Sequence, residues 1–217
     1  NEMYKFFDRD NNTLVLRPDI TPSIARCVAK YYADEALPVR LCYTGNTYTN
    51  TLKLQGKLKE VTQIGAELVN DDSSAADAEI IATVIDCFNE IGISDFQIEI
   101  GQIDYFKGLV AESGISEDEE NQIKEYIHIK NFFGLEEYVD ALDISESLKK
   151  AFVAFDSLFG GISMLDKAEG YVSNETSLEA VKRLRRVYAA LECYGYQDHI
   201  SFDLGMLDGY NYYTGII

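Results

Sequence analysis

Segments in which apolar and polar residues alternate predict strands at both ends of the chain. Near the start, the segments 13–16, 39–43 and 60–68 have strand character, and a polar loop containing Gly56 joins the last two. We therefore expect those two segments to pair as an antiparallel hairpin with a long tip. Further strands are predicted at 96–100, 202–206 and 210–217.

Helical spacing of apolar residues occupies much of the remaining chain. Thr21 can cap a helix with Pro22 at its first position, since proline lacks only an amide hydrogen that would have no partner there. Ser74 with Asp77 resembles a capping box for a second helix that ends near Gly92. The apolar residues of this second helix are Ile80, Ile81, Val84, Ile85 and Phe88.

The segment from about 113 to 198 differs from the rest because it has helical patterns and few alternating β-branched residues. We interpret it as a helical insertion within one domain that spans residues 1–217. The predicted fold class is α+β, with a mostly antiparallel sheet flanked by helices.

Composition limits the size, the partners and the compartment of the protein. With 217 residues, 47% of them hydrophobic, the chain can bury one sizeable core. Its 37 acidic and 19 basic residues give a formal net charge of −18, which repels phosphate backbones, so nucleic acid is a poor partner. The sequence contains neither a secretory leader nor a long apolar run. We expect a soluble cytoplasmic protein with no membrane contact.

The cysteines and histidines are widely spaced. The four cysteines form no Cys-x-x-Cys pair, and His128 and His199 have no partner at metal-ligand spacing. We therefore predict reduced, mostly buried thiols, no metal site and no cofactor. Because the chain begins at Asn1 and ends within a predicted strand, we expect it to be part of a longer protein.

Two polar pairs stand in otherwise apolar surroundings. Asp19 and Thr21 offer acceptor oxygens for an ammonium group. Gln63 and Glu67 fall on one face of a predicted strand because side chains alternate between faces, and Gly65 between them leaves room for a ligand. A carboxylate and an amide on one face can hold a cation and an imidazole or amine, so these residues predict a polar pocket in a sheet.

Three segments carry a family resemblance: 16–22 (LRPDITP), 56–67 (GKLKEVTQIGAE) and 212–215 (YYTG). In sequence and order they resemble the histidine-binding segments of histidyl-tRNA synthetases, which are class II aminoacyl-tRNA synthetases. The resemblance implies a class II synthetase fold with a histidine pocket. The implied pocket residues are Asp19 and Thr21 at the ammonium group, with Gln63, Glu67 and Tyr213 lining the pocket.

Two departures from this family bear on catalysis. A loop arginine of the family grips the ATP α-phosphate, and Thr49 occupies the matching position. A second arginine assists adenylate formation, and Asp208 occupies its position. Removing one positioned donor for developing negative charge costs about a hundred- to a thousandfold in rate, so we expect no adenylation. Lys57 and Lys59 replace family arginines, which keeps the charge but loses the bidentate geometry.

A synthetase-like chain without phosphate chemistry is similar to the regulatory subunits of short-form ATP phosphoribosyltransferases. That resemblance implies a non-catalytic subunit that activates the short catalytic subunit in the first step of L-histidine biosynthesis and contributes to feedback inhibition by histidine. It also implies a homodimer within a hetero-oligomer. Two alternatives stay open: a histidyl-tRNA synthetase catalytic-core fragment that activates histidine with ATP, and a histidine-binding scaffold or sensor outside histidine biosynthesis.

Asp19 and Thr21 also have a purely structural interpretation. Thr21 can serve only as a helix cap, while Asp19 pairs with Arg17 or Arg26. The two interpretations are compatible, because a capping residue can also contact a ligand.

The other candidate residues have structural alternatives as well. Gln63 and Glu67 can belong to a partly solvated strand face, and Tyr213 can be a packing residue with a hydrogen-bonded hydroxyl. The basic run 182–186 has apolar residues at helical spacing and acidic neighbours, so we attribute it to a solvated helix face rather than to nucleic-acid binding.

Overall fold

Two compact units make up the described part of the chain, which is residues 3–36, 38–50, 56–207 and 213–217 of a computed structural model. The first unit extends to Asp72, and the second begins at Ser73. Within the described residues, the first unit contains four strands and one helix, and the second contains three strands and seven α-helices.

The first unit consists of two hairpins and a helix. Strands β1 (Lys5–Phe7) and β2 (Thr13–Val15) pair antiparallel and precede helix α1 (Thr21–Tyr31). Strands β3 (Val39–Tyr48) and β4 (Glu60–Val69) pair antiparallel along their full length. The predicted hairpin with a long tip is confirmed, although β3 continues to Tyr48 rather than ending near Tyr43.

Helix α1 begins one residue earlier than expected. Thr21 is its first residue, and Ile20 occupies the N-cap position without a side-chain bond, so the prediction that Thr21 caps the helix was wrong. Pro22 follows in the first turn, where its missing amide hydrogen does no harm because the first four N–H groups of a helix have no partner within it. The Thr21 hydroxyl is therefore directed elsewhere.

The second unit contains a three-stranded sheet in the order β5, β7, β6. β5 (Ile98–Ile100) runs parallel to β7 (Ile200–Asp203), and β6 (Phe159–Gly160) runs antiparallel to β7. The strands predicted at 96–100 and 202–206 are confirmed with shifted ends. The parallel pair departs from the mostly antiparallel sheet we expected, because the long helical segment between β5 and β7 acts as a crossover.

Helices provide most of the second unit. Helices α4 to α8 and the short strand β6 lie between residues 113 and 198, so that segment is helical as predicted. Its interpretation as an insertion stays a prediction. The helices are α2 (Ser74–Glu90), α3 (Ile103–Ser113), α4 (Glu117–His128), α5 (Phe132–Asp140), α6 (Glu146–Val153), α7 (Met164–Gly170) and α8 (Glu175–Tyr194).

Side-chain caps start several of these helices. Ser73, not Ser74 as predicted, caps α2, and its hydroxyl accepts the Ala76 N–H at 3.2 Å. A full capping box starts α4, where the Glu119 carboxylate accepts the Ser116 N–H at 2.7 Å and the Ser116 hydroxyl accepts the Glu119 N–H at 3.3 Å. These bonds hold the pKa of Glu119 below its ordinary value.

Aromatic residues form the centre of the buried core in the second unit. Phe106 contacts Phe152 and Phe155 edge to face, with ring centroids 5.9 and 5.8 Å apart, and all three side chains are buried. Tyr105 is also buried and donates its hydroxyl to the Ala168 carbonyl at 2.9 Å. Burial raises the pKa of Tyr105, so its hydroxyl stays protonated as a donor.

The C-terminal residues pair with the segment that precedes α3. The Gly101 N–H donates to the Ile217 carbonyl at 2.7 Å, the Ile217 N–H donates back at 3.1 Å, and Gln102 forms an isolated antiparallel bridge with Ile216. This extended pairing agrees with the end of the strand predicted at 210–217. Residues 210–212 of that strand lie outside the described residues.

The four cysteines are free thiols. Cys27 is half-buried and the other three are exposed, so the expectation of mostly buried thiols was wrong. Across the described ranges, every helix is either too short or too polar to cross a membrane.

Candidate functional site

One face of the β3–β4 hairpin carries most of the predicted site. In the antiparallel register Gln63 lies opposite Gly45 and Gly65 lies opposite Tyr43, while Glu67 follows two residues further along β4. Side chains two residues apart on a strand point to the same face, and directly opposed residues share that face. Gln63 and Glu67 therefore share a face, as the sequence predicted.

The Thr21 hydroxyl connects the start of α1 to this face. It donates a hydrogen bond to Glu67 Oε1 at 2.6 Å, and this contact is partly buried. Asp19 Oδ1 accepts the Thr21 backbone N–H at 3.3 Å. Three of the predicted residues are thus brought together.

The described residues do not show the contacts that the structural interpretation of Asp19 and Thr21 predicts. Thr21 makes no cap, and within the described ranges no ion pair joins Asp19 to Arg17 or Arg26. The side chain of Thr21 instead reaches across to the strand, and Asp19 forms a local turn at the start of the helix.

Tyr43 is a member of this cluster that the sequence analysis missed. Its ring covers Gly65, where a Cβ atom would overlap the ring and the hydroxyl. The room that Gly65 was expected to leave for a ligand is therefore filled by Tyr43. The sequence offered only part of this signal, a glycine within a predicted strand, since a glycine without a side chain lets an aromatic ring lie across it.

The carboxylates of the cluster act on the Tyr43 hydroxyl. Burial raises the pKa of Tyr43, the negative charges of Glu67 and Asp19 raise it further, and a hydrogen bond with Thr21 opposes them. The phenol therefore stays protonated and uncharged at neutral pH. Two carboxylates and two hydroxyls thus lie close together, an arrangement of acceptors that suits an ammonium group.

Arg17 lies on the same face beside Gly45. Its Nε donates to the Asn46 carbonyl at 2.7 Å, and its own carbonyl accepts the Tyr48 N–H at 2.9 Å. A Cβ atom at Gly45 would lie 3.0 Å from Arg17 Nη2 and 3.2 Å from the side chain of Ile20. Glycine at this position therefore lets the guanidinium approach the strand closely.

Exposure differs between the two polar residues of β4. Glu67 is half-buried, and Gln63 is exposed opposite Gly45. The alternative of a partly solvated strand face thus fits Gln63 better than Glu67. A ligand role for either residue stays a prediction.

The remaining candidate positions lie apart from this cluster in the chain. Tyr213 belongs to the second unit, where its carbonyl accepts a hydrogen bond from Lys107 Nζ at 3.0 Å and its side chain is exposed. Thr49 follows β3 directly, and its N–H donates to the Lys59 carbonyl at 3.0 Å. Asp208 lies outside the described residues. The implied roles of these three positions stay predictions.

The basic run on α8 is neutralised by acidic residues within the second unit. Pairing raises the pKa of Arg185 and lowers that of Glu179. Guanidinium groups that already contact carboxylates have little to offer a phosphate backbone, which favours the helix-face interpretation. The ion pairs join Arg183 to Asp77 at 2.8 Å, Arg185 to Asp166 at 2.6 Å, and Arg186 to Glu179 at 2.6 Å.

His199 packs against an aromatic ring. Its imidazole stacks on Phe96 with centroids 4.4 Å apart, and its Nδ1 lies 3.2 Å from the Phe96 carbonyl oxygen. Within the described ranges, no three His, Cys, Asp or Glu side chains are grouped so as to hold a metal ion.

Comparisons with known proteins point in one direction. A family model described as "Histidyl-tRNA synthetase" matches residues 1–217. A protein of Acetivibrio thermocellus named "ATP phosphoribosyltransferase regulatory subunit" is 43% identical over 215 residues, which is 99% of this chain and 51% of that protein. The chain spans about half the length of the curated relatives it matches.

Solved structures agree at the level of the fold. A crystal structure of an "ATP phosphoribosyltransferase regulatory subunit/histidyl-tRNA synthetase" from Bacillus halodurans is 34% identical and has a TM-score of 0.90, over 99% of this chain and 56% of that one. A chain of the "ATP phosphoribosyl transferase (HisG:HisZ) complex" from Thermotoga maritima is 18% identical with a TM-score of 0.74, over 99% and 73%. The second likeness shows the fold alone. Together with the family match, these neighbours confirm the predicted α+β fold of the class II synthetase type.

Proposed function

This chain belongs to the histidyl-tRNA synthetase family, and on that premise we propose that it is part of a non-catalytic regulatory subunit of ATP phosphoribosyltransferase. In this role it assembles with the short catalytic subunit, supports the first step of L-histidine biosynthesis and senses histidine. Relatives 34 to 43% identical that carry the regulatory-subunit name support this assignment.

The hydrogen bond between Thr21 and Glu67 is the observation that carries the sensing role. It connects helix α1 to the hairpin and gathers Asp19, Thr21, Tyr43 and Glu67 around one position. The α-ammonium group of a free amino acid is positively charged at neutral pH. Glu67 is half-buried, and a carboxylate in such a position attracts a cation more strongly than it would in bulk water, while the exposed Asp19 adds a second negative charge.

The non-catalytic character rests on Thr49 and Asp208. A neutral hydroxyl cannot offset the charge of an ATP α-phosphate, and a carboxylate repels it. The formal net charge of −18 also disfavours binding to tRNA. We therefore propose that an ancestral adenylation site serves here only for amino-acid binding.

The assembly we propose is a homodimer within a cytoplasmic hetero-oligomer. The short-form catalytic subunit is the expected partner, and the name of the Thermotoga maritima complex supports that pairing for a protein of the same fold. Histidine is the expected ligand of the regulatory subunit.

Isothermal titration calorimetry of the full-length protein with L-histidine tests the sensing role. Glu67→Gln removes the charge but keeps an acceptor for the Thr21 hydroxyl, and we expect it to weaken binding at least about tenfold. Glu60→Gln is the matched control: Glu60 lies on the opposite face of β4, where it accepts hydrogen bonds from Asn46 and Tyr48. It should leave histidine affinity unchanged.

Activity assays test the regulatory and non-catalytic roles. Adding the full-length protein to the short catalytic subunit should raise its phosphoribosyltransferase activity and make that activity sensitive to histidine. The full-length protein alone should show no histidine-dependent exchange of pyrophosphate into ATP. Measurable exchange would refute the non-catalytic role and favour a histidyl-tRNA synthetase, and absence of activation would refute the regulatory role.

A further inference from the structure

An exposed face of helix α5 in the second unit combines acidic and apolar side chains beside a groove of about 400 Å³, which α5, α6 and Tyr171 help to line. We infer that this face docks a basic surface of the short catalytic subunit. The inference rests on the proposed regulatory role and names the surface through which the two subunits meet. It concerns the second unit alone and uses none of the residues of the amino-acid pocket.

The outer side of α5 is acidic and begins with an exposed aromatic ring. Phe133, Glu136, Glu137 and Asp140 are all exposed, and their spacing of three, four and seven residues puts them on one face of the helix. Phe133 is 72% accessible, and Ile129, which follows α4 four residues earlier in the chain, is 53% accessible. A single exposed apolar residue is ordinary, but two large ones in one connection beside a groove are typical of a protein–protein contact.

Carboxylates outnumber cations in the groove. Its acidic residues are Glu136, Asp140, Glu146 and Asp156, and two lysines also line it. One of these, Lys149, donates to the Asp140 carbonyl at 2.8 Å and lies 3.7 Å from the Glu146 carboxylate, so its charge is already engaged. In the described part of the chain, the side chains of Glu136, Asp140 and Asp156 join no ion pair. These three carboxylates remain for a positively charged partner.

Apolar residues complete the groove and indicate what kind of cation it fits. The half-buried Val153, the buried Ala154 and Tyr171 line it beside the carboxylates. A lysine or arginine side chain has an aliphatic stem and a cationic end, so a groove of this composition can hold both parts. Across the described ranges, no three carboxylate, imidazole or thiol groups are close enough together to hold a metal ion. The carboxylates are therefore spread over a surface, as suits the basic side chains of another protein.

The distribution of charge restricts the choice of partner. The second unit has 27 acidic and 10 basic residues, so it carries a formal charge of −17 out of −18 for the whole chain. Two copies of the α5 face would repel each other, and nucleic acids and anionic membranes are disfavoured for the same reason. Within the proposed assembly the catalytic subunit remains. An enzyme that acts on ATP needs cationic groups to hold the phosphates, and the field of such groups extends over the surrounding surface.

Binding kinetics between the full-length protein and the immobilised short catalytic subunit test the role of charge. The double variant Glu136→Lys with Asp140→Lys should lower the association rate constant at least about tenfold at low salt, and its melting temperature should stay near that of wild type because both residues are exposed. Raising the salt concentration from about 0.05 M to about 0.3 M should slow the association of wild type severalfold. Glu90→Lys with Glu192→Lys is the matched control, since it changes the net charge equally at exposed residues in the last turns of α2 and α8.

The same measurement tests the apolar part of the contact. Phe133→Ser should raise the dissociation rate constant at least about tenfold, because an aromatic anchor acts mainly on dissociation. Phe159→Ser is the matched control, since Phe159 is an exposed ring on β6, outside α5 and the groove. The control should keep the wild-type dissociation rate.

The variants separate this surface from the proposed function itself. Wild-type kinetics in both the α5 charge variant and Phe133→Ser would overturn the inference, while the proposed function would stand because the subunits would still bind. Equal losses in the α5 variants and their controls would also overturn it, since no particular face would then be responsible. A changed oligomeric state of isolated Phe133→Ser in analytical ultracentrifugation would assign the face to a second copy of this chain instead. A wild-type protein that did not bind the catalytic subunit would overturn the proposed function as well.

Discussion

The two units bury their apolar side chains to very different extents. The large buried cluster lies in the second unit, whereas Ile20 and Thr47 are the buried residues among those described in the first. The first unit also exposes Ile64 and Leu58, with 83% and 73% of their surface accessible. Nevertheless the first unit carries four of the five predicted ligand residues. Local opening is easiest where few apolar contacts form, so this unit should open more readily than the second.

The difference predicts where substitutions are costly. In the second unit, stability should depend on volume within the core. In the first unit, it should depend on a few pairwise contacts between the strands and α1, because an isolated two-stranded hairpin is only marginally stable in water.

The largest effect should come from truncating a core ring in the second unit. Phe152 is fully buried, so Phe152→Ala should lower the free energy of unfolding by about 3–5 kcal/mol. Phe133→Ala is the control, since Phe133 is 72% exposed and should cost less than about 0.5 kcal/mol. Denaturant unfolding of the full-length protein measures both. Similar losses for the two variants would remove the proposed contrast between core and surface.

A smaller effect should come from adding a methyl group beneath Tyr43 in the first unit. Gly65→Ala forces the tyrosine ring to move, and we expect a loss of about 1–3 kcal/mol in the free energy of unfolding. Gly161→Ala is the control, because nothing lies within 4 Å of the added atom. In a Tyr43→Ala background the Gly65→Ala cost should largely vanish, and a double-mutant cycle that showed no coupling would contradict the packing described.

Losing a helix cap should cost less again. Ser73→Ala removes the acceptor of the Ala76 N–H at the start of α2 and should lower the free energy of unfolding by about 1 kcal/mol. The loss is measured as a lower melting temperature. Ser163→Ala is the matched control, since Ser163 precedes α7 without a side-chain cap. Equal melting temperatures for the two variants would show that the Ser73 bond contributes nothing.

The smallest effect should be a pH dependence at the start of α4. The pKa of Glu119 is lowered from 4.5 by its bonds to the Ser116 backbone and side chain, so its stabilising contribution is present above the ordinary pKa. That contribution is lost as the pH falls through the lowered folded-state pKa. The stability difference between wild type and Glu119→Gln should therefore shrink on acidification. Glu117 takes no part in the capping box, so the stability difference between wild type and Glu117→Gln should not shrink on acidification.

The sequence predicted the elements better than the contacts between them. The hairpin followed from the strand character of 39–43 and 60–68 with a polar loop between them, and the shared face of Gln63 and Glu67 followed from the two-residue period of a strand. Tyr43 escaped notice because an aromatic residue in a strand is ordinary, and only the register shows that it lies across Gly65.

Three further features show where sequence reasoning stops. The role of Thr21 changed because a shift of one residue at a helix start converts a cap into a side chain that reaches a neighbouring strand. The parallel pairing of β5 and β7 was missed because it joins segments far apart in sequence, and no local pattern encodes such pairing. The choice of Ser73 over Ser74 depended on backbone angles at adjacent serines.

The parallel pairing also constrains how the protein is made. Ile98 pairs with Ile200, so β5 and β7 cannot pair until residues 200–203 have left the ribosome. The helices between those residues form from local contacts and can appear earlier, whereas non-local strand pairing is slow because a long loop must close first. During synthesis, the edge of β5 that pairs with β7 therefore stays unpaired until β7 has emerged. An unpaired strand edge exposes a nascent chain to aggregation, which chaperones counteract.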